Sequence, residues 1–213
     1  IAGEFYDTYD FNVAYPDTFY LTSSIQYDAY LAKYNSSGLF EWVIKTTPLN
    51  VSDTYISNIA TDQSGNIYAC GHFDCIVDFD PGQDTDSLEN QNGGIGSFLL
   101  KYNADGQLIW ADHYNNTGYL NFASLAVDNY NNVWVTGTFN SSISPDFNQP
   151  TSTLTTSGWN VFSAKYQPDA SCLWYKKIEG DGNISASSIN IDIQGNGYIS
   201  TKYSNPKIYI LNQ

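Results

Sequence analysis

The chain has 213 residues, 16% of them aromatic, and its eight basic groups, all lysine, stand against 22 acidic ones for a formal net charge of -14. A nucleic-acid interface needs clustered lysine and arginine to displace counterions, so this acidic chain without arginine is not expected to bind nucleic acid. No apolar run reaches the roughly 18 residues of a membrane-spanning helix, so no transmembrane segment is expected.

Along the chain, one block of sequence recurs with constant internal spacing. It contains a Lys-Tyr pair and ends in a tryptophan, as Lys33 and Trp42 show in the first copy. The copies run over residues 28–42, 96–110 and 160–174. A tandem repeat of this kind indicates that each copy is one structural unit stacked on the next.

A second block lies between these copies and carries an aspartate just before a Gly/Asn pair. Its aspartates are Asp62, Asp128 and Asp192. Since aspartate can bond to its own backbone and glycine tolerates positive φ, these residues are interpreted as turn caps. Residues 11–25 are a weaker first copy, with Tyr20 in the place of Tyr68.

Within the second unit, four short strand-like runs are separated by turn residues. They lie at about residues 55–61, 66–73, 97–102 and 107–113. Small residues line the first run of each unit, while the last run carries the tryptophan. This gradient favours wedge-shaped sheets that crowd at an inner channel and separate towards the rim.

The sequence therefore predicts an all-β fold, a β-propeller of four-stranded antiparallel blades with about three full blades and partial blades at the termini. A single domain over residues 1–213 would contain units at about 11–48, 55–115, 122–178 and 186–213. Residues 1–9 are a possible outer strand of another blade, which would let a four-bladed ring close. Otherwise the chain is about half of a larger propeller, whose open edges need further blades or neighbouring subunits.

The repeated pattern resembles the SBBP β-propeller repeat, a family common in secreted bacterial proteins. The resemblance rests on the aspartate–Gly/Asn block, the Lys-Tyr-Asn block and the closing tryptophan over most of residues 11–204. The segment at 77–82 also resembles an insertion in versions of the repeat from Bacteroidota-like surface proteins. The resemblance implies an extracellular or cell-surface location and no single activity.

An acidic loop in the second unit is the one candidate for metal binding. Asp78, Asp80, Asp84 and Asp86 have spacing similar to a calcium loop, but the glycine that such a loop needs at its sixth position is replaced by Gln83. A solvated connection is the preferred interpretation, so no cofactor is expected, with Ca²⁺ as the alternative.

Ligand-binding candidates are aromatic residues that the repeat does not require, namely Tyr119, Tyr130 and Trp159. His72 and His113 fall at positions where other units have different polar residues, which favours exposed strand positions over catalysis. No catalytic motif is recognised, so the chain is not expected to be an enzyme.

The cysteines are too few for a disulfide framework or a four-cysteine zinc site. Cys70 and Cys75 could pair in an oxidising compartment, and Cys172 is expected to be a small hydrophobic residue of the core.

Together these features favour a non-enzymatic, secreted or cell-surface binding or scaffold module whose partner is a protein or a glycan. The alternatives are a carbohydrate-active enzyme, which would need two carboxylates about 5 to 9 Å apart, and a structural subunit of an extracellular filament or secretion-linked assembly.

Overall fold

In the computed structural model the regular structure of the described residues consists of β-strands. The structure describes residues 1–13, 16–24, 26–50, 53–74, 76–80, 82, 85–90, 95–203 and 208–210. The strands of the first half are β1 (Ala2–Phe5), β2 (Thr8–Asp10), β3 (Tyr20–Thr22), β4 (Asp28–Tyr34), β5 (Phe40–Lys45), β6 (Thr47–Pro48), β7 (Thr54–Thr61), β8 (Ile67–Asp74), β9 (Ile76–Asp78) and β10 (Ser87–Glu89). The strands of the second half are β11 (Ile95–Tyr102), β12 (Leu108–Asn116), β13 (Leu120–Val127), β14 (Val133–Ser144), β15 (Leu154–Tyr166), β16 (Cys172–Gly180), β17 (Ile184–Ile191), β18 (Gly197–Tyr203) and β19 (Ile208–Ile210).

The strands form antiparallel blades whose strands follow one another in chain order, while shorter strands such as β9 and β10 belong to separate sheets. Blade 2 has the order β7-β8-β11-β12 and blade 3 the order β13-β14-β15-β16. Blade 1 contains β1-β4-β5, and blade 4 contains the hairpin β17-β18. The first strands β7, β13 and β17 contact one another in succession, so the blades pack side by side as in a β-propeller.

The pairing of the first residues differs from the expectation that residues 1–9 supply an outer strand of another blade. In β1, Gly3 lies opposite Tyr30, as Gly71 of β8 lies opposite Phe98. A Cβ on either glycine would crowd the ring that faces it. The segment 1–5 is therefore the second strand of blade 1, and close packing of a ring on a glycine fixes its register.

The prediction that the repeated aspartates cap turns is confirmed. Asp62 Oδ1 accepts hydrogen bonds from the backbone N–H groups of Ser64 at 2.9 Å and Asn66 at 3.0 Å. Asp128 and Asp192 accept the same two bonds in their own turns. Each cap fixes the turn between the first and second strands of its blade.

Successive blades are joined by a shared backbone acceptor, which we call the carbonyl clamp. Lys33 Nζ and Trp42 Nε1 of blade 1 both donate to the carbonyl oxygen of Ala104 in blade 2, each at 3.2 Å. The same contact recurs one unit later, from Lys101 at 3.2 Å and Trp110 at 3.0 Å to the carbonyl oxygen of Pro168. The tryptophans at positions 42 and 110 thus belong to contacts between blades, as predicted.

A second attachment lies at the other end of the fourth strand, which we call the rim pairing. In blade 1, β6 follows the fourth strand β5 and pairs with β9 of blade 2. The end of β12 pairs with β14 of blade 3, and the end of β16 pairs with β19. In the unit expected at about residues 186–213, β19 thus takes the place against β16 that β9 takes against β6.

Apolar side chains fill the interfaces between neighbouring blades. One core cluster joins blades 2 and 3 through Tyr68, Leu99, Leu125 and Val133, and another joins blades 1 and 2 through Leu31. Because these side chains alternate along their strands, each blade buries one face against the next.

Replacing Trp110 by phenylalanine should lower the free energy of unfolding by about 1 kcal/mol more than the same change at Trp174. Trp110 loses its hydrogen bond to Pro168, whereas the indole N–H of Trp174 has no acceptor among the residues described. Urea unfolding of the two variants measures the difference. Equal destabilisation would show that the clamp adds nothing to ring packing.

Acid should remove a stabilising contribution of Asp128. Burial by itself raises the pKa of its carboxyl, but hydrogen bonds from Lys165, Asn132 and Tyr130 outweigh that effect and lower the pKa to about 2. A lowered pKa stabilises the fold above about pH 4 and loses this effect as the pH falls towards 2. Asp128→Asn should therefore cost about 2 kcal/mol at pH 7 and little at pH 2, measured by urea unfolding. The exposed turn variant Asp105→Asn is the control.

Candidate functional site

The structure brings together two of the three aromatic residues proposed as ligand contacts. Tyr119 directly precedes β13, and Trp159 lies in β15. Their rings are 5.5 Å apart between centroids and inclined at 70°. Both remain partly exposed, Tyr119 at 40% and Trp159 at 36%. They form one wall of an open cleft, which we call the Tyr119–Trp159 cleft.

The cleft lies where blade 3 meets blade 4 and has a volume of about 440 Å³. Its lining residues are Tyr119, Asn121, Ala123, Thr138, Trp159, Asn183, Ile184, Ser185 and Ala186. Two hydrogen bonds from backbone N–H groups to side chains fix the blades on either side of the cleft. The N–H of Trp159 donates to Asn183 Oδ1 at 3.3 Å, and the N–H of Ala186 donates to Thr138 Oγ1 at 2.9 Å. The lining thus combines two aromatic rings with amide and hydroxyl groups, and none of its described residues carries a charged side chain.

His72 stands behind this cleft and is not the exposed strand residue that we expected. It is half-buried, with its ring 6.3 Å from that of Tyr119 and its Nε2 3.3 Å from Asn121 Oδ1. Burial lowers the pKa of its imidazole, so the ring is predominantly neutral at pH 7. His113 is also half-buried, and burial lowers its pKa as well.

Tyr130 lies far from the other two aromatic candidates. It belongs to the turn that follows β13, with 77% of its surface exposed, and its N–H donates to Asp128 Oδ1. Tyr119 lies just before β13 and Tyr130 lies after it. The eight residues of β13 therefore separate the two tyrosines by roughly 26 Å. Tyr130 therefore does not contribute to the Tyr119–Trp159 cleft.

In the acidic loop, carboxylates bind backbone groups of the loop itself. Asp78 Oδ1 accepts from the N–H groups of Asp80 and Asp86, each at 3.0 Å. Asp84 lies outside the described residues. Within the described ranges, no group of three or more His, Cys, Asp or Glu side chains has an arrangement suited to a metal ion. The calcium alternative stays a prediction.

Sequence reasoning missed an equivalent of this loop in blade 1. Asp10 Oδ1 accepts from the N–H groups of Asn12 at 3.0 Å and Phe19 at 2.8 Å, as Asp78 does in blade 2. The Asp-Phe-Asn triplet at residues 10–12 also occurs at residues 146–148. This shared triplet is the signal that could have identified it.

A tyrosine-rich cleft at blade 1 was also missed. Tyr6 and Tyr27 are 5.7 Å apart between ring centroids, and Tyr27 stacks near Tyr55 at 6.4 Å. Burial raises the pKa of Glu4, and the negative charge of Asp53 raises it further. Tyr27 directly precedes the third strand of its blade, where Trp159 aligns in blade 3, so the two clefts use equivalent positions in the repeat.

Of the three cysteines, Cys70 and Cys172 are free thiols and Cys75 lies outside the described residues. Cys70 is fully buried and burial raises its pKa. Cys172 is half-buried and packs against the core between blades 2 and 3, and burial raises its pKa to about 12. Such thiols are poor nucleophiles at neutral pH.

Comparison with known proteins agrees with the blade structure. Residues 50–72 match the family model of the SBBP β-propeller repeat. This match confirms the resemblance to the SBBP β-propeller repeat over those residues; it does not bear on the resemblance of residues 77–82 to an insertion in Bacteroidota-like surface proteins. A search of curated proteins found no match to the chain. In the part of the chain that is described, no helix has the length and apolarity to cross a membrane.

Asp53→Asn should lower the pKa values of Glu4 and Asp74. Burial is the larger cause of both raised values, and the charge of Asp53 adds to it. Asparagine keeps an oxygen that can accept from the N–H of Tyr27, as Asp53 does. NMR titration of the side-chain carboxyl carbons measures the change. The distant exposed variant Asp181→Asn is the control, and unchanged values in Asp53→Asn would contradict the assignment.

Proposed function

We propose that this SBBP-repeat chain is a non-catalytic binding module that recognises a neutral oligosaccharide in the Tyr119–Trp159 cleft. The observation that carries the proposal is the pair of inclined rings, 5.5 Å apart, beside uncharged amide and hydroxyl groups. Its mechanism is recognition by a rigid surface, without turnover.

The chemistry of the cleft supports a sugar ligand. The faces of tyrosine and tryptophan offer apolar area at low entropic cost, which suits the C–H faces of pyranose rings. The side chains of Asn121, Thr138 and Ser185 place hydrogen-bonding groups beside them. Small-molecule sites typically pair such apolar walls with a few polar groups that fix orientation.

Charge supports a neutral ligand over an anionic one. The lining residues carry no charge, and the chain has a formal net charge of -14, which repels polyanions at a distance. The absence of a carboxylate from the lining also favours binding over glycoside hydrolysis at this cleft, since hydrolysis generally uses two acids beside the bond that breaks.

An extracellular or cell-surface location is part of the proposal. It is supported by the match of residues 50–72 to the SBBP β-propeller repeat, because the resemblance to this family implies a secreted or cell-surface setting. A scaffold role fits the same setting, because the carbonyl clamp joins blade 1 to blade 2 and blade 2 to blade 3. At the cleft itself, the N–H groups of Trp159 and Ala186 make the hydrogen bonds between blades 3 and 4.

Trp159→Ala should weaken oligosaccharide binding about tenfold or more, because it removes one of the two aromatic rings that form the wall of the cleft. A glycan array identifies the best neutral oligosaccharide, and isothermal titration calorimetry then measures its affinity for each variant.

Tyr130→Ala is the matched control, since it removes an exposed ring at the opposite end of β13. Its affinity should equal that of the unmodified chain. Equal losses in both variants, or an array with no neutral ligand, would refute the proposal. Release of sugar products would contradict the non-catalytic part.

A further inference from the structure

Asn121 lines the Tyr119–Trp159 cleft, and its amide group is held by His72 of the neighbouring blade. Its Oδ1 lies 3.3 Å from Nε2 of His72. Because this oxygen can only accept, Nε2 carries the hydrogen of the neutral imidazole, and Nδ1 faces the hydroxyl of Ser97 at 3.4 Å. The oxygen of Asn121 is therefore occupied, and its NH₂ group is what it offers to a ligand.

Thr138 stands beside Asn121, and its oxygen is occupied in the same way. The two residues are directly opposite each other on β14 and β13, so their side chains share one face at about 5 Å between Cβ atoms. Thr138 Oγ1 accepts from the N–H of Ala186 at 2.9 Å. In the described part of the chain, no acceptor is recorded for the hydroxyl hydrogen of Thr138 or the amide hydrogens of Asn121. The cleft thus presents two adjacent donors whose own oxygens are engaged.

Small apolar side chains border these donors. Ala123, Ile184 and Ala186 line the same cleft, and Ile184 is buried there. They offer an apolar surface that suits a methyl group. Ser185 lies between two of them along β17, and its hydroxyl can accept a hydrogen bond as well as donate one.

A carbonyl oxygen suits the paired donors better than a hydroxyl does. It has two lone pairs and no hydrogen, so it can accept from Asn121 and Thr138 together. A sugar hydroxyl that accepts there brings a hydrogen of its own, and the engaged oxygens of these two residues leave it poorly satisfied. The acetamido group of an N-acetylated sugar is uncharged and carries a carbonyl oxygen beside a methyl group.

We infer, on the basis of the proposed function, that the Tyr119–Trp159 cleft is selective for oligosaccharides that contain N-acetylated amino sugars. The acetamido carbonyl oxygen accepts from Asn121 Nδ2 and Thr138 Oγ1. Its methyl group packs against Ala123 and Ile184, and the sugar ring lies against the aromatic wall.

The test compares triacetylchitotriose with cellotriose, which have the same linkage between their sugar rings and differ in the acetamido groups. Isothermal titration calorimetry should show about tenfold tighter binding of triacetylchitotriose, because two hydrogen bonds are added. Equal affinities, or tighter binding of cellotriose, would overturn the inference.

Asn121→Asp tests the donor directly. It keeps an oxygen for His72 but has no amide hydrogens, so the preference for triacetylchitotriose should fall about fivefold. Both sugars are neutral, so the added charge acts on them alike. Asn148→Asp adds the same charge in an exposed loop of blade 3 and should leave the preference unchanged. An unaltered preference in Asn121→Asp would refute the inference.

His72 is a positioning residue in this arrangement, since it orients Asn121 and does not itself line the cleft. His72→Phe keeps a ring against Tyr119 but cannot donate to Asn121. The preference should therefore fall about threefold, with the affinity for cellotriose unchanged. His72→Gln keeps a donor and should restore the preference. Equal losses of affinity for both sugars in His72→Phe would contradict the positioning role.

Failure of this inference is distinguishable from failure of the proposed function. A glycan array whose neutral ligands all lack acetamido groups would overturn the inference and leave the proposed function standing. An array without any neutral ligand would refute both.

Discussion

In blades 1 and 2, the fourth strand is attached to the next blade at both of its ends. Near its beginning, the carbonyl clamp joins its tryptophan, together with a lysine of the third strand, to one backbone oxygen. Past its end, the rim pairing adds backbone hydrogen bonds, as Thr47 with Asp78 shows for blades 1 and 2. Two attachments separated by the length of a strand restrict rotation of one blade against the next, and the apolar interface between them then packs in one arrangement.

Side-chain patterns made much of this fold predictable. The fixed spacing of Lys33 and Trp42 and the turn capped by Asp62 identified the blades. The turn makes the same hydrogen bonds in three copies, and the lysine and tryptophan make theirs in two. Residues 1–5 were misplaced because the alignment followed Tyr20, whereas Gly3 sets the register by its contact with a ring. The rim pairing of β19 was not foreseen, since backbone hydrogen bonds leave little trace in a pattern of side chains.

The candidate site was predictable in composition but not in geometry. Aromatic residues that the repeat does not require are a reasonable signal for binding, and Tyr119 and Trp159 do meet in one cleft. Tyr130 satisfied the same criterion yet lies at the other end of β13. The prediction grouped it with Tyr119 because it did not consider which end of the blade each turn occupies. Tyr27, which lies in a cleft with Tyr6, occupies the position in blade 1 that Trp159 occupies in blade 3. Comparing equivalent positions of the repeat would therefore have located both clefts, whereas looking for aromatic residues outside the repeat located only one.

The carbonyl clamp has a consequence for how such a chain can change in length. Its acceptor is a main-chain oxygen, which every amino acid supplies, so the contact at Ala104 or Pro168 places little demand on the side chain there. Asp10, Asp78 and Asp146 also follow one another at equal intervals. Duplication or loss of one whole interval in the gene would bring a new neighbour with the same acceptor into place, so copy number can vary while each junction keeps its chemistry.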